Sequence, residues 1–205
     1  MHALTLYSHR LSRGRAPLWL LEELAVDYQV VWLDFGEAMK SPAFTALNPM
    51  GKIPVLTHGQ AVVTETAAIL CYLADAFAER GWIPPAGSAA RAAFYRWLFF
   101  VAGPLEAATT AAFFNWQTPT TTVKGTSGSG FCGFGSLALT LHTLRTQLQS
   151  QPYLCGDTPT AADIYLASHL QMDISYTQTV APDPVFADYL QRLLSRPAKL
   201  RADAR

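Results

Sequence analysis

The chain carries no surplus of either charge: its 15 basic residues balance 15 acidic ones over 205 residues. Nucleic acid and anionic membrane surfaces demand a basic excess, so neither is expected as the main partner. Charged residues of both signs make up only 15% of the chain, while half of it is hydrophobic. That balance excludes a disordered chain and leaves a globular protein with a real core. Cysteine is scarce. Cys71, Cys132 and Cys155 form no CxxC and no metal-ligand spacing, so a disulfide framework or a structural metal site is not expected. Reduced thiols and a cytoplasmic location are the expectation. No signal-like opening is visible. The most apolar stretch, Tyr95–Phe114, is interrupted by Gly103, Pro104 and Glu106, which makes a poor membrane span.

What is present falls into two unlike parts. Alternating "HALTLYS" reads as a strand and "LWLLEELAV" as a buried helix, while "YQVVWLDF" reads as a second strand. "SPAFTALNP" is a short helical turn stopped by Asn48-Pro49, and "KIPVL" with "AVVT" makes a hairpin about "THGQ". "TAAILCYLADAFAER" is a helix. The order is therefore β-α-β-α-β-β-α over residues 1–80, followed by the breaker-rich linker 81–88 and an all-helical part, 89–205. The Gly-, Ser- and Thr-rich segment 118–136 reads as a flexible surface loop or as a lid.

Two residues in "GKIPVLTHGQAVVTET" break the pattern. Pro54 opens an apolar strand, where it removes a backbone donor. It is an ordinary strand-start proline, or else it leaves the Ile53 N–H and C=O free to pair with an extended peptide ligand. Glu65 and Thr66 stand where the strand gives way to a helix, whose first N–H groups lack partners and whose dipole favours an anion. They either cap that helix or grip a head group bearing both an ammonium and a carboxylate. Taken together, the pair describes a site for a short peptide with a free amino-acid end, such as glutathione.

"LNPMGKIPVL" followed by "TETAAILCYLAD" resembles the glutathione-binding half of the glutathione S-transferases. "LYSHRLSRGRAPLWLLEEL" is similar to their first strand, catalytic loop and first helix. "YLCGDTPTAADIYLASHL", with Thr160 and Asp163 at capping-box spacing, and "LSRPAKLRA" resemble their second half. The resemblance implies a thioredoxin-like N-terminal domain, a C-terminal helical bundle and assembly as a homodimer. It also implies glutathione as co-substrate, no metal, and a small hydrophobic electrophile held between the domains. By the same resemblance, Ile53 beside a cis Pro54 meets the cysteinyl part of glutathione, and Glu65 and Thr66 hold the γ-glutamyl end. Lys52 sits near the glycine carboxylate, with Lys40 a second candidate, because Met39 occupies the place of the corresponding histidine.

The chemistry requires a thiolate. Lowering a thiol pKa by about two units takes roughly 2.7 kcal/mol. One hydroxyl hydrogen bond to the anion supplies ~1.5–3 kcal/mol and a helix N-terminus ~0.3–1 kcal/mol, so a single hydroxyl suffices. Two compete. Ser12 stands where serine-type, theta-like transferases carry theirs, and Tyr7 where tyrosine-type enzymes do; Ser12 is the expected donor and Tyr7 the alternative. Ala16 replaces the usual arginine of the serine-type loop, with Arg13 and Arg15 expected to be solvated. Trp97, Phe99, Phe100, Phe113, Phe114 and Trp116 are expected to be mainly core, with Asn115 or Trp116 facing an apolar pocket. The sequence thus points to a glutathione transferase that adds the thiolate to a hydrophobic electrophile. The alternatives are a non-catalytic binder of glutathione or of a hydrophobic ligand, or a glutathione-dependent peroxidase or isomerase.

Overall fold

The computed structural model describes residues 3–117, 122, 125–126 and 128–205. Strand β1 (Leu4–Ser8) alternates as its sequence requires, with Leu4, Leu6 and Ser8 buried on one face. It pairs in parallel with β2 (Tyr28–Trp32) and antiparallel with β3 (Val55–His58), which pairs in turn with β4 (Ala61–Thr64). The sheet therefore has four strands in the order β2-β1-β3-β4, the thioredoxin-like arrangement that the sequence resemblance implied.

Helix α1 (Arg15–Leu24) returns the chain from β1 to β2 and buries Leu18, Trp19, Leu20, Leu21 and Leu24. Each such side chain contributes roughly 1.5–3 kcal/mol by leaving water. Pro17 sits in its first turn, where the missing N–H would have had no partner anyway. A 3-10 turn (Glu37–Lys40) and the short helix α2 (Pro42–Thr45), capped by the Ser41 hydroxyl, lead back to β3. Helix α3 (Thr66–Ala76) follows β4 and packs beside α1. It is shorter than the apolar pattern suggested, because Phe77 turns out of the helix at φ −125° and ψ 44° and a separate 3-10 turn follows.

The strand expected from Lys52 begins only at Val55. Pro54 has no N–H to give a ladder, and the Lys52 carbonyl is already taken by the Asn48 side-chain amide at 2.7 Å. The Ile53–Pro54 peptide bond is cis.

Two compact units emerge, Met1–Ile83 with Leu193–Arg205, and Pro84–Arg192. The tail from Leu193, expected with the helical part, groups instead with the sheet. Packing and charge both hold it there, with Ala198 and Ala202 of the tail 4 and 2% exposed. Helix α10 (Pro197–Asp203) lies along α1, and Arg201 and Arg205 reach the Glu22 carboxylate at 2.8 and 2.9 Å. Arg196 binds Glu23 through two contacts, at 2.5 and 2.9 Å.

In the other unit, helix α4 (Ala89–Phe100) runs into a π-helical turn (Val101–Leu105) and on into α5 (Glu106–Phe113). The wider turn carries Pro104, whose ring would clash in a regular helix. Within segment 118–136, residues 118–121, 123–124 and 127 lie outside the described ones, and Gly128–Phe131 forms the short helix α6. Helix α7 (Leu137–Ser150) precedes α8 (Ala161–Ser175), which is buried on all sides; α9 (Pro184–Leu194) follows. At the start of α8, fully buried Asp163 accepts the Thr160 N–H, the Thr160 hydroxyl and the Leu154 N–H at 2.8, 2.9 and 2.8 Å. It also takes the Tyr189 hydroxyl at 3.0 Å. These bonds offset the burial that pushes its carboxyl pKa up. Among the described residues no helix is long and apolar enough to cross a membrane.

Candidate functional site

Register alone gathers the candidate residues. Tyr7 pairs with Val55, and Val55 pairs with Thr64, so one row crosses three strands. From that row β1 runs out into the Ser8–Gly14 loop, β3 begins just after Ile53 and Pro54, and β4 ends just before Glu65 and Thr66. The first turns of α1 and α3 start at the same end of the sheet.

Glu65 is held in a backbone conformation that side chains rarely adopt, with φ 65° and ψ 123°. Its carboxylate is exposed and makes no capping bond to α3, so the capping explanation fails. Holding a residue other than glycine there costs about 1–3 kcal/mol, an expense typical of functional positions. Thr66 behind it is 7% exposed, and its hydroxyl has no hydrogen-bond partner among the described residues. Its N–H, the first of α3, also lacks an intrahelical partner. A hydroxyl and an N–H without partners among the described residues thus stand next to a carboxylate.

Ile53 lies outside the ladder and packs beside Tyr7 on a cluster of Met39, Phe44 and Val55. Met39, which occupies the histidine's place in the sequence, is core. Lys40 is committed to structure: its ammonium bonds the Met50 and Gly51 carbonyls at 3.2 and 3.1 Å. Lys52 is exposed, with no ion pair among the described residues, so of the two cations it is the one open to a ligand.

The two candidate hydroxyls differ in environment. The Tyr7 ring packs 6.0 Å from that of Phe44, and its hydroxyl has no partner among the described residues. Ser12, half-buried just ahead of α1, is fully engaged. Its hydroxyl donates to the His9 carbonyl at 2.8 Å and accepts the N–H groups of Gly14 and His9 at 3.1 and 3.4 Å. No acid stands in the first turn of α1, so the positive end of that helix is not neutralised locally. Arg15 is not simply solvated; it pairs with Asp203 of α10. Ala16, in the arginine's usual place, is 2% exposed and fills the core. His9 accepts the Leu11 N–H at Nδ1 and lies against Phe35, a role in shaping the loop.

Sequence reasoning missed Ser8. It is fully buried, with its hydroxyl 3.5 Å from both the His9 carbonyl and the Ser12 hydroxyl. The signal was available, since a serine continues the buried Leu4, Leu6 alternation. The aromatic expectation also needs correction: of the six rings named, only Trp97 is buried, while Phe99, Phe113, Phe114 and Trp116 are 67, 50, 60 and 62% exposed. Asn115, at φ 52°, and Trp116 close the end of α5 through bonds to the Ala112 and Ala111 carbonyls. Trp116 stacks on Phe114 at 5.9 Å.

Comparison with known proteins agrees with this geometry. The models for the glutathione S-transferase N-terminal and C-terminal domains match residues 2–75 and 134–197. The glutathione S-transferase GST-4.5 of Xanthomonas campestris is 33% identical over 132 residues, 62% of each chain. That match therefore spans less than two thirds of the relative's length. GstA of Escherichia coli O157:H7 is 27% identical over 86% of each chain. Among solved structures, a theta class glutathione S-transferase of Xanthomonas axonopodis pv. citri with glutathione bound superposes with TM-score 0.75 at 27% identity. That superposition covers 100% of this chain and 99% of the other.

Proposed function

Because the chain belongs to the glutathione S-transferase family, we propose that it binds reduced glutathione, ionises it with Ser12 and delivers the thiolate to a small hydrophobic electrophile. The observation that carries the reading is Glu65, an exposed acid kept at φ 65° directly before the open first turn of α3. Glu65 makes no capping bond from that conformation, which leaves its carboxylate exposed beside the open helix end, where an ammonium can meet it. On this reading Glu65 takes the ammonium of the γ-glutamyl end and Thr66 its carboxylate, with Ile53 and Pro54 beside the cysteinyl backbone. Lys52 faces the glycine carboxylate. Lys40 acts on that end indirectly, by fixing the turn that carries Lys52. Two backbone N–H groups bonded to Ser12 Oγ polarise its O–H, which strengthens it as a donor to sulfur. Asn115 and Trp116 stay in the proposal as residues facing the electrophile, Trp116 with its apolar ring, and a cytoplasmic homodimer as the working form, its assembly checked by sedimentation.

Titrating the ultraviolet thiolate band of glutathione mixed with the protein against pH tests this reading. A band appearing well below the pH at which free glutathione ionises supports binding with activation. A second reading, binding without activation, is favoured by one observation: Ser12 already spends its proton on the His9 carbonyl at 2.8 Å. Glutathione that binds with an unshifted thiol would establish that second reading.

A further inference from the structure

The Ser12 hydroxyl, the donor proposed for the thiol, is already engaged with the His9 carbonyl. The His9 carbonyl accepts the Ser12 N–H at 3.0 Å and the Ser12 hydroxyl at 2.8 Å, and the Ser8 hydroxyl stands 3.5 Å from the same oxygen. Ser8 is fully buried at the end of β1. Among the described residues its hydroxyl has only two hydrogen-bond partners, His9 O and Ser12 Oγ, both at the 3.5 Å limit of a hydrogen bond. A buried hydroxyl with only marginal bonds is under-satisfied, and gains by any rearrangement that offers a better acceptor.

We propose that Ser8 is a positioning residue: as the Ser12 hydroxyl turns from the His9 carbonyl to the glutathione sulfur, the Ser8 hydroxyl takes that carbonyl over. This inference rests on Ser12 as the thiol's donor and adds the reason its proton is available at little cost. Without Ser8, turning Ser12 outward weakens the hydrogen bonding of a partly buried carbonyl; with it, one donor replaces another. The thiol proton leaves to solvent, and no covalent bond other than S–H changes. Gly14 keeps the arrangement possible, since a Cβ there would lie 2.0 Å from Ser8 Oγ and 3.1 Å from Ser12 Oγ.

The experiment measures the bound thiol's pKa by its ultraviolet band, and the affinity for S-methylglutathione, in Ser8→Ala, Ser12→Ala and the double variant. Handover requires Ser8→Ala to raise the thiol pKa by about 0.4–1 unit, the worth of one neutral hydrogen bond. Affinity for the thioether, which has no thiol to ionise, stays unchanged. In the Ser12→Ala background, removing Ser8 adds nothing. A normal thiol pKa in Ser8→Ala, with a raised one in Ser12→Ala, overturns the handover and leaves the donor standing. An unchanged pKa in Ser12→Ala removes both. Should Ser8→Ala fail to fold, Ser8→Cys, which fills the buried volume with a weaker donor, is read by the same two outcomes.

Discussion

Val55 faces Thr64 across the β3–β4 ladder, and this single pairing places Pro54 and Glu65, eleven residues apart in sequence, at one end of the sheet. The strain at Glu65 then has a measurable consequence. Glycine adopts positive φ freely, so Glu65→Gly is expected to stabilise the unliganded protein by about 1 kcal/mol. It also removes the charge proposed to hold the ammonium, and glutathione affinity falls by about 10- to 100-fold. Thermal melts and glutathione titration check the two arms. A variant that is less stable and binds normally would mean that the strained acid serves the fold alone.

The donor question is settled by a pair of variants. Ser12→Ala is expected to raise the bound thiol's pKa by about one to two units and to lower kcat/KM at neutral pH by about 10- to 100-fold. Tyr7→Phe keeps the ring against Phe44 and changes either quantity less than about threefold, because packing survives the loss of the hydroxyl. The reverse result assigns the thiol to Tyr7 and leaves Ser12 as the residue that shapes the loop through His9 and Gly14.

How much of this was legible before the structure differs from element to element. The strand and helix order followed from alternation and from the breakers at Pro49, Gly59 and Gly81, because local pattern decides local structure. Pro54 and Glu65 were visible as anomalies, since each violates the preference of the element it adjoins. What stayed hidden depended on contacts distant in sequence. The basic tail was readable as charge, but not as the partner of Glu22 and Glu23. Phe99, Phe113 and Phe114 looked like core, and only the rotation of α4 and α5 about their axes turns them outward. Lys40 looked free until the turn at Met50 and Gly51 closed on it.

That turn supplies a further test, because Lys40 and Lys52 separate by role. Gly51 sits at φ 59°, and a Cβ there would approach the Met39 carbonyl to 2.7 Å and Lys40 Nζ to 2.8 Å. Gly51→Ala is therefore expected to cost about 2–4 kcal/mol in stability, from the unfavourable φ together with the backbone clash. Lys40→Met loses two bonds to carbonyls and destabilises by about 1 kcal/mol. Lys52→Ala leaves the melting temperature unchanged, and weakens glutathione binding in a way that fades at high salt. Loss of stability in Lys52→Ala, or a salt-independent loss of affinity, would contradict this division.

Glu22 makes the stability of the sheet unit depend on pH in the acid range. Burial pushes its carboxyl pKa up, but hydrogen bonds from Tyr28 and Arg201, together with the charge and hydrogen bond of Arg205, outweigh that and hold it below the ordinary value of 4.5. A depressed folded-state pKa gives stability that is fully present above the unfolded value and is lost as pH falls through the folded one. The two guanidinium groups are 56 and 51% exposed, so solvent screens their share and the total is modest. Glu22→Gln is expected to lower stability at pH 7 by about 1–2 kcal/mol, or roughly 2–8 °C in Tm. The deficit holds down to about pH 4.5 and closes below it, where the native carboxyl also takes up its proton. Melting curves of the two proteins from neutral to acid pH measure this directly. A deficit that stays the same below pH 4 would show that it does not come from the carboxylate's charge, and that the hold of α10 on α1 does not depend on it.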